Sequence, residues 1–358
     1  MNFLELLEPK YMTKKWDAEA EEQRYLGNQL FPRIKTGQLT LRHFRGKSGL
    51  PVVLEPSTYD AKPNIRGREG VSLYQHDMPF FREAMRIGEK DIMEIHQALQ
   101  SQDPDTARFI ISRVYDDVGN LRRAANVRVE EMIWELVQTG GIKAEAAEAH
   151  GRNTYYELNF DPDSSWRNNN VVTIGDAQDK WITTATSDPI DDIMVMLRKG
   201  KTDGVNLKKL IMNSGTLNNM LGSAKVRSLL NPQGMFMVDS EYQAALEKKL
   251  QIQIVVYDEM YGFLDEDGDK DSASFILDGN VIFIPDGKLG NFIFGATPEE
   301  LGVIQSPHSV KEQVDTGITI VKYQESSSVV NHFVNVSFLG LPNFEDMDSV
   351  YILKTGTV

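Results

Sequence analysis

Hydrophobic and polar positions divide the chain into stretches of different texture, and each texture predicts a different element. Residues 1–45 scatter Phe3, Leu4, Leu7, Tyr11, Trp16, Tyr25, Leu30 and Phe31 among polar neighbours. That spacing is too sparse to close a core, so the segment reads as an arm that lies on another surface. From Gly46 to Phe81 an apolar patch, Leu50 to Leu54, is interrupted by Pro51, and Pro56 and Pro63 follow. A charged Gly-rich cluster, Arg66-Gly67-Arg68-Glu69-Gly70, then precedes Val71, Leu73 and Tyr74. Two strand-like legs joined by an extended tip, a long projecting hairpin, fit this pattern. An ordinary surface loop is the plainer reading.

The clearest periodicity starts at Pro104. Asp103 stands at an N-cap position, Pro104 suits the first helical position, and Asp105 complements the positive end of the helix dipole. Ile111, Val114, Val118, Leu121, Ala125, Val129, Met132 and Leu136 recur at steps of three and four, which lays one apolar stripe along a helix ending near Val137. Gly140 and Gly141 supply the stop. At about 1.5 Å per residue the rod spans about 50 Å. A coiled coil is the alternative, but the register slips near Arg128.

Beyond it, Tyr156, Leu158 and Phe160 alternate with Tyr155, Glu157 and Asn159, the two-residue period of a half-buried strand. Val171 to Ile174 reads as the returning strand. From Asp188 short helices (189–199, 214–230, 240–250) alternate with strands (209–212, 252–257, 281–284), as in a compact mixed domain. Past Leu301 the chain becomes β-rich at 318–323, 329–338 and 350–353. These last strands are expected to return to the long helix and to the Tyr155 strand.

Composition narrows the chemistry. The 358 residues include no cysteine, which excludes disulfide scaffolds, cysteine-based zinc and iron-sulfur sites and thiol nucleophiles. Acidic residues outnumber basic ones 52 to 38, and a net charge of -14 opposes tight sequence-independent binding to nucleic acid. No basic, apolar leader and no run of about 18 apolar residues occurs, so neither a signal peptide nor a membrane helix is expected.

The run from Asp265 to Asp271 places acids at positions 1, 3 and 5 of a calcium loop, but Lys270 and Ile276 occupy positions that need Gly and Glu. A solvated hairpin tip turning at Asp267-Gly268 accounts for it. Histidines 43, 76, 96, 150, 308 and 332 lack the spacing that would put two on one metal. Asp116-Asp117 and Asp191-Asp192 are adjacent on predicted helices, where neighbours diverge and cannot share a proton. Phosphate-loop, nucleophile-elbow and dinucleotide patterns are missing. No catalytic residue, cofactor site or metal site is expected.

The order of arm, charged hairpin, long helix, sheet, compact mixed domain and β-rich return resembles the Hong Kong 97 capsid fold of tailed-bacteriophage major capsid proteins. More specifically, the chain is similar to the lambda-type capsid protein E family. The resemblance rests on WITTATSDPIDDI (181–193), QIVVYDEMYGF (253–263) with ILDGNVIF (276–283), FVNVSFLGLPNFEDMDSVYIL (333–353) and VEEMIWELVQTGGI (129–142). It implies an α+β fold with an N-arm (1–45), an E-loop (46–85) and a peripheral domain (86–185) carrying a spine helix at 104–139. An axial domain (186–300) and a return to the peripheral domain (301–358) complete it.

The resemblance further implies a non-enzymatic virion protein, assembled in the host bacterial cytoplasm into hexamers and pentamers of an icosahedral shell. The shell would enclose double-stranded DNA without reading its sequence, with no membrane involved. The implied partners are further copies of the chain, a separate scaffolding protein, a portal protein and, in some shells, a decoration protein. Lys62, Arg66, Arg68 and Glu69 at the hairpin tip are the candidate inter-subunit contacts. An encapsulin-like nanocompartment shell and a metal-dependent intracellular hydrolase using carboxylates around Asp258 and Asp265 are the alternatives.

Overall fold

The computed structural model describes residues 25–46, 71–90, 93–94, 97, 104–147, 153–231, 238–264, 269–302, 310–314, 316–326 and 330–356. They divide into two units. The first draws on the ranges Met1–Arg42, Gln75–Ile133 and Gly290–Asn343, the second on His43–Tyr74, Trp134–Leu289 and Phe344–Val358.

One helix of 36 residues runs from Pro104 to Thr139. Gly140 ends it at φ +73°, a conformation that a side chain would strain, and its N–H bonds to the Leu136 carbonyl at 2.8 Å. Leu121, Ala125, Val129, Met132 and Leu136 of the anticipated stripe are buried. A single stripe nevertheless understates the C-terminal end, because Met132 to Gln138 are buried at every position except Glu135. The boundary between the two units falls within this helix, after Ile133.

In the first unit the strand Val330–Asn343 organises a six-stranded sheet. It pairs antiparallel with Phe80–Ile87, Ile318–Ser326 and Asn291–Phe294. Val310–Val314 extends the sheet beyond Ile318–Ser326, and Arg33–Lys35 adds a parallel strand beside Asn291–Phe294. Its register brings aromatic rings together across neighbouring strands. Phe81 stacks on Phe338 with centroids 4.8 Å apart, and Tyr323 on Phe333 at 5.2 Å. Such cross-strand pairs contribute about 0.2–1 kcal/mol each.

Two expectations change here. Residues 80–85, read as part of the hairpin at 46–85, belong to this sheet, held by the Phe81–Phe338 stack. The hairpin legs that the structure describes, Thr40–Gly46 and Val71–Asp77, start earlier than Gly46 and pair as a two-stranded sheet; Leu50 to Leu54 lie outside the described residues. The end of the expected arm also packs on its own chain. Phe31 is fully buried, the Leu30 carbonyl accepts the Gly290 N–H at 3.3 Å, and the Phe292 N–H donates to the Pro32 carbonyl at 3.0 Å.

The second unit is built on a five-stranded sheet in the order Val171–Thr173, Tyr351–Lys354, Asn280–Pro285, Leu207–Met212, Gln253–Val256. The outer pairs are parallel and the inner ones antiparallel. Helices Pro189–Thr202, Ser214–Gly222, Ala224–Leu230 and Asp239–Leu250 contribute to its core with Ile193, Met196, Met220, Val226 and Leu246, packed with Trp181, Leu210 and Phe283.

The anticipated pairing of the Tyr155 strand is corrected. Asn153–Asn159 pairs with Gly141–Ala147, and Val171–Thr173 instead runs parallel to Tyr351–Lys354. The last strand therefore joins this sheet rather than returning to the long helix and the Tyr155 strand. Trp166 Nε1 and Asn170 Nδ2 both donate to the Val350 carbonyl, at 3.0 and 2.9 Å, and Asn170 also reaches the Asp348 carbonyl at 2.9 Å. These bonds hold the C-terminal segment in the second unit. The range 301–358 accordingly splits after Asn343, and 86–185 splits after Ile133.

Candidate functional site

Asp191, Asp192 and Asp258, among the acidic residues singled out for chemistry, make local contacts. Asp188 caps the helix Pro189–Thr202 by accepting the Asp191 N–H at 3.2 Å, and Pro189 takes the first helical position. Asp191 faces Arg198 at 3.5 Å. Asp192 accepts a hydrogen bond from Trp181 Nε1 at 2.9 Å. Burial pushes the Asp192 carboxyl above its usual range, the Trp181 bond opposes this, and the nearby charges of Asp188, Asp191 and Asp179 reinforce it. Asp258 accepts the Ser214 N–H at 2.7 Å where the helix Ser214–Gly222 starts. Asp265, its proposed partner in a hydrolytic centre, lies outside the described residues. Among the described residues no three His, Cys, Asp or Glu side chains are grouped so as to hold a metal ion.

Of the six histidines, the structure describes the side chains of His76 and His332. Burial lowers the pKa of both, against an opposing Asp77 charge at His76 and with a reinforcing Lys322 charge at His332. They lie on separate strands, Val71–Asp77 and Val330–Asn343.

The candidate contact residues Lys62, Arg66, Arg68 and Glu69 lie outside the described residues. So does the turn at Asp267-Gly268, although the strands leading to it, Met260–Leu264 and Lys270–Ser274, pair antiparallel.

The first unit carries features that sequence reasoning missed. A cleft of about 210 Å³ opens between the long helix and the sheet. The Phe81–Phe338 stack, Val336, Leu121 and Ala125 line it, and the Arg128 guanidinium lies over the Phe81 ring at 5.2 Å. Its polar lining is of mixed charge, Arg82, Glu83 and Arg128, and Arg128 is already paired with Glu131. Arg82 bonds Glu299, which is nearly fully buried, at 2.5 Å and lies over the Phe80 ring at 4.8 Å. Lys35 bonds Glu300 at 2.6 Å, and Thr319 donates to the same oxygen at 2.7 Å. These ion pairs clasp the segment 295–302 to the sheet. Glu130, nearly fully buried on the long helix, accepts the Gly27 N–H at 2.9 Å; its trace in the sequence is a carboxylate set near Val129, Ile133 and Val137.

The fold defines a class. Solved structures of similar fold cover nearly all of the chain, two of them as follows. A phage-related protein from Bordetella bronchiseptica RB50 has a TM-score of 0.52 at 14% identity, covering 97% of each chain. The capsid asymmetric unit of cyanophage A-1(L) has a TM-score of 0.55 at 10% identity, covering 94% of this chain and 93% of that one. The architecture is that of the Hong Kong 97-like phage capsid proteins.

The sequence carries the assignment further. The family model for phage major capsid protein E matches residues 8–314, and the chain belongs to that family. Its role is that of a structural capsid subunit. A search of curated protein sequences finds no match.

Proposed function

We propose that this chain assembles as hexamers and pentamers into an icosahedral shell around double-stranded phage DNA. The family match over residues 8–314 carries this reading. Assembly takes place in the host bacterial cytoplasm, directed by a separate scaffolding protein and started at a portal. In the finished virion a decoration protein binds outside where the phage encodes one. The subunit acts by shape, without catalysis. The N-arm and the E-loop reach neighbouring subunits, the first unit (with 75–133 and 290–343) serves as the peripheral domain, and the second (with 134–289 and 344–358) serves as the axial domain.

The excess of 52 acidic over 38 basic residues supports a container that does not grip its contents. Sedimentation velocity and negative-stain microscopy of the full chain, alone and with its neighbouring genes, test the reading. Rings or closed shells are expected. A small monomer under every condition would refute it.

A further inference from the structure

The strand Gln253–Val256 lies at one margin of the second unit's sheet, paired among the described residues with Leu207–Met212 alone. A margin strand presents amides and carbonyls that can template a strand from another chain. Here two side chains already occupy that place. The Ile254 N–H donates to Glu247 Oε1 at 2.8 Å, and the Ile254 carbonyl accepts from Gln243 Nε2 at 3.2 Å.

Gln243 and Glu247 are four residues apart on the helix Asp239–Leu250, so they project from one face, and the fully buried Leu246 anchors the same helix in the core. A carboxylate only accepts and the glutamine NH₂ only donates. Together they reproduce the acceptor and donor that one residue of an added strand would offer. Val256, at the same margin, is 36% exposed and carries no charge to repel a strand.

We propose that Gln243 and Glu247 are a built-in block against strand addition. They keep this sheet margin closed to a second copy of the chain, and subunits meet through their other surfaces. The block belongs to the single subunit, so it stands or falls separately from shell assembly.

The test uses the full chain in four forms: wild type, Glu247→Gln, Gln243→Ala/Glu247→Ala, and the last with Val256→Lys added. Hydrogen exchange at the Ile254 amide, sedimentation velocity and the infrared signature of intermolecular β-structure are the readouts. Losing both bonds should speed Ile254 exchange by about tenfold in the monomer and, at higher concentration, produce β-rich oligomers. Glu247→Gln keeps an acceptor oxygen and should behave as wild type. Val256→Lys should suppress the oligomers without restoring the protection of Ile254, because an edge charge blocks strand addition and leaves the missing bonds missing. Should the double variant fail to fold, Glu247→Ala alone, which frees the Ile254 N–H, is read in the same way. Unchanged exchange and sedimentation in the alanine variant would overturn the proposal. Oligomers that persist with Val256→Lys would overturn it too, since they would come from unfolding.

Discussion

The Gly27 amide donates to Glu130 Oε1 at 2.9 Å, a bond that joins the start of the short helix Gly27–Leu30 to the buried side of the long helix 103 residues away. Glu130 is 1% exposed, and a Cβ on Gly27 would stand 2.3 Å from its Oε2. A larger residue at position 27 has to push this buried carboxylate aside and disturb its bond to the amide.

Gly27→Ala must therefore displace Glu130 or detach the segment from the helix. A loss of about 1–3 kcal/mol is expected, the cost of a disturbed buried polar group. Denaturant unfolding measures the loss, and limited proteolysis should show earlier cleavage ahead of Phe31. Unchanged stability would mean that the bond contributes nothing.

Arg82→Ala removes the cation bonded to Glu299, whose side chain is 4% exposed while that of Arg82 is 38% exposed. Uncompensated buried charge is costly, and partial exposure of the arginine moderates the effect to about 2 kcal/mol. Arg82→Ala/Glu299→Gln should recover part of the loss, because the charge that needed a partner is gone. Urea midpoints of the two variants decide this.

Asp192 has a folded pKa above its ordinary 3.8, chiefly through burial. Such a group holds its proton more tightly folded than unfolded, so ionising it costs stability as pH rises above 3.8 and through the raised value. Asp192→Asn keeps an oxygen for Trp181 Nε1 but does not ionise. Its stability relative to wild type should increase from pH 4 to pH 7, as measured by urea midpoints across that range. A constant difference between the two proteins would contradict the assignment.

The proposed role of Arg66 and Arg68 as contacts between subunits predicts that Arg66→Ala/Arg68→Ala weakens assembly and leaves the melting temperature of the unassembled subunit unchanged, because such contacts would act only in the shell. Exposed ion pairs contribute about 0–1 kcal/mol each, but a shell repeats the contact many times. Light scattering during assembly and calorimetry of the free subunit separate the two effects.

Several elements were legible because their signals are local. Asp188 with Pro189 marks a helix start, and the structure shows Asp188 accepting the Asp191 N–H there. Asp103-Pro104 at one end and Gly140-Gly141 at the other bracket the long helix, which runs Pro104–Thr139. The alternation at 155–160 marked a strand, but a two-residue period says which face is buried and nothing about the partner. Val171–Thr173 therefore looked like the return of the Tyr155 strand, whereas it runs beside Tyr351–Lys354, far along the chain.

The cleft was illegible for a related reason. Phe81, Arg128 and Phe338 come from three distant segments, and only the strand register sets Phe81 opposite Phe338 under the Arg128 guanidinium.

The sequence by itself determined several of the elements, the exclusion of thiol chemistry and, through several short runs in a fixed order, the capsid family. Capping, periodicity and composition act within a few residues and can be read along the chain. Only the tertiary structure decided that the segment after Asn343 joins the second unit, that Glu130 holds Gly27, and that Gln243 and Glu247 cover the Ile254 backbone. Each of those depends on hydrogen bonds and close packing between groups that folding alone brings within 3 or 4 Å.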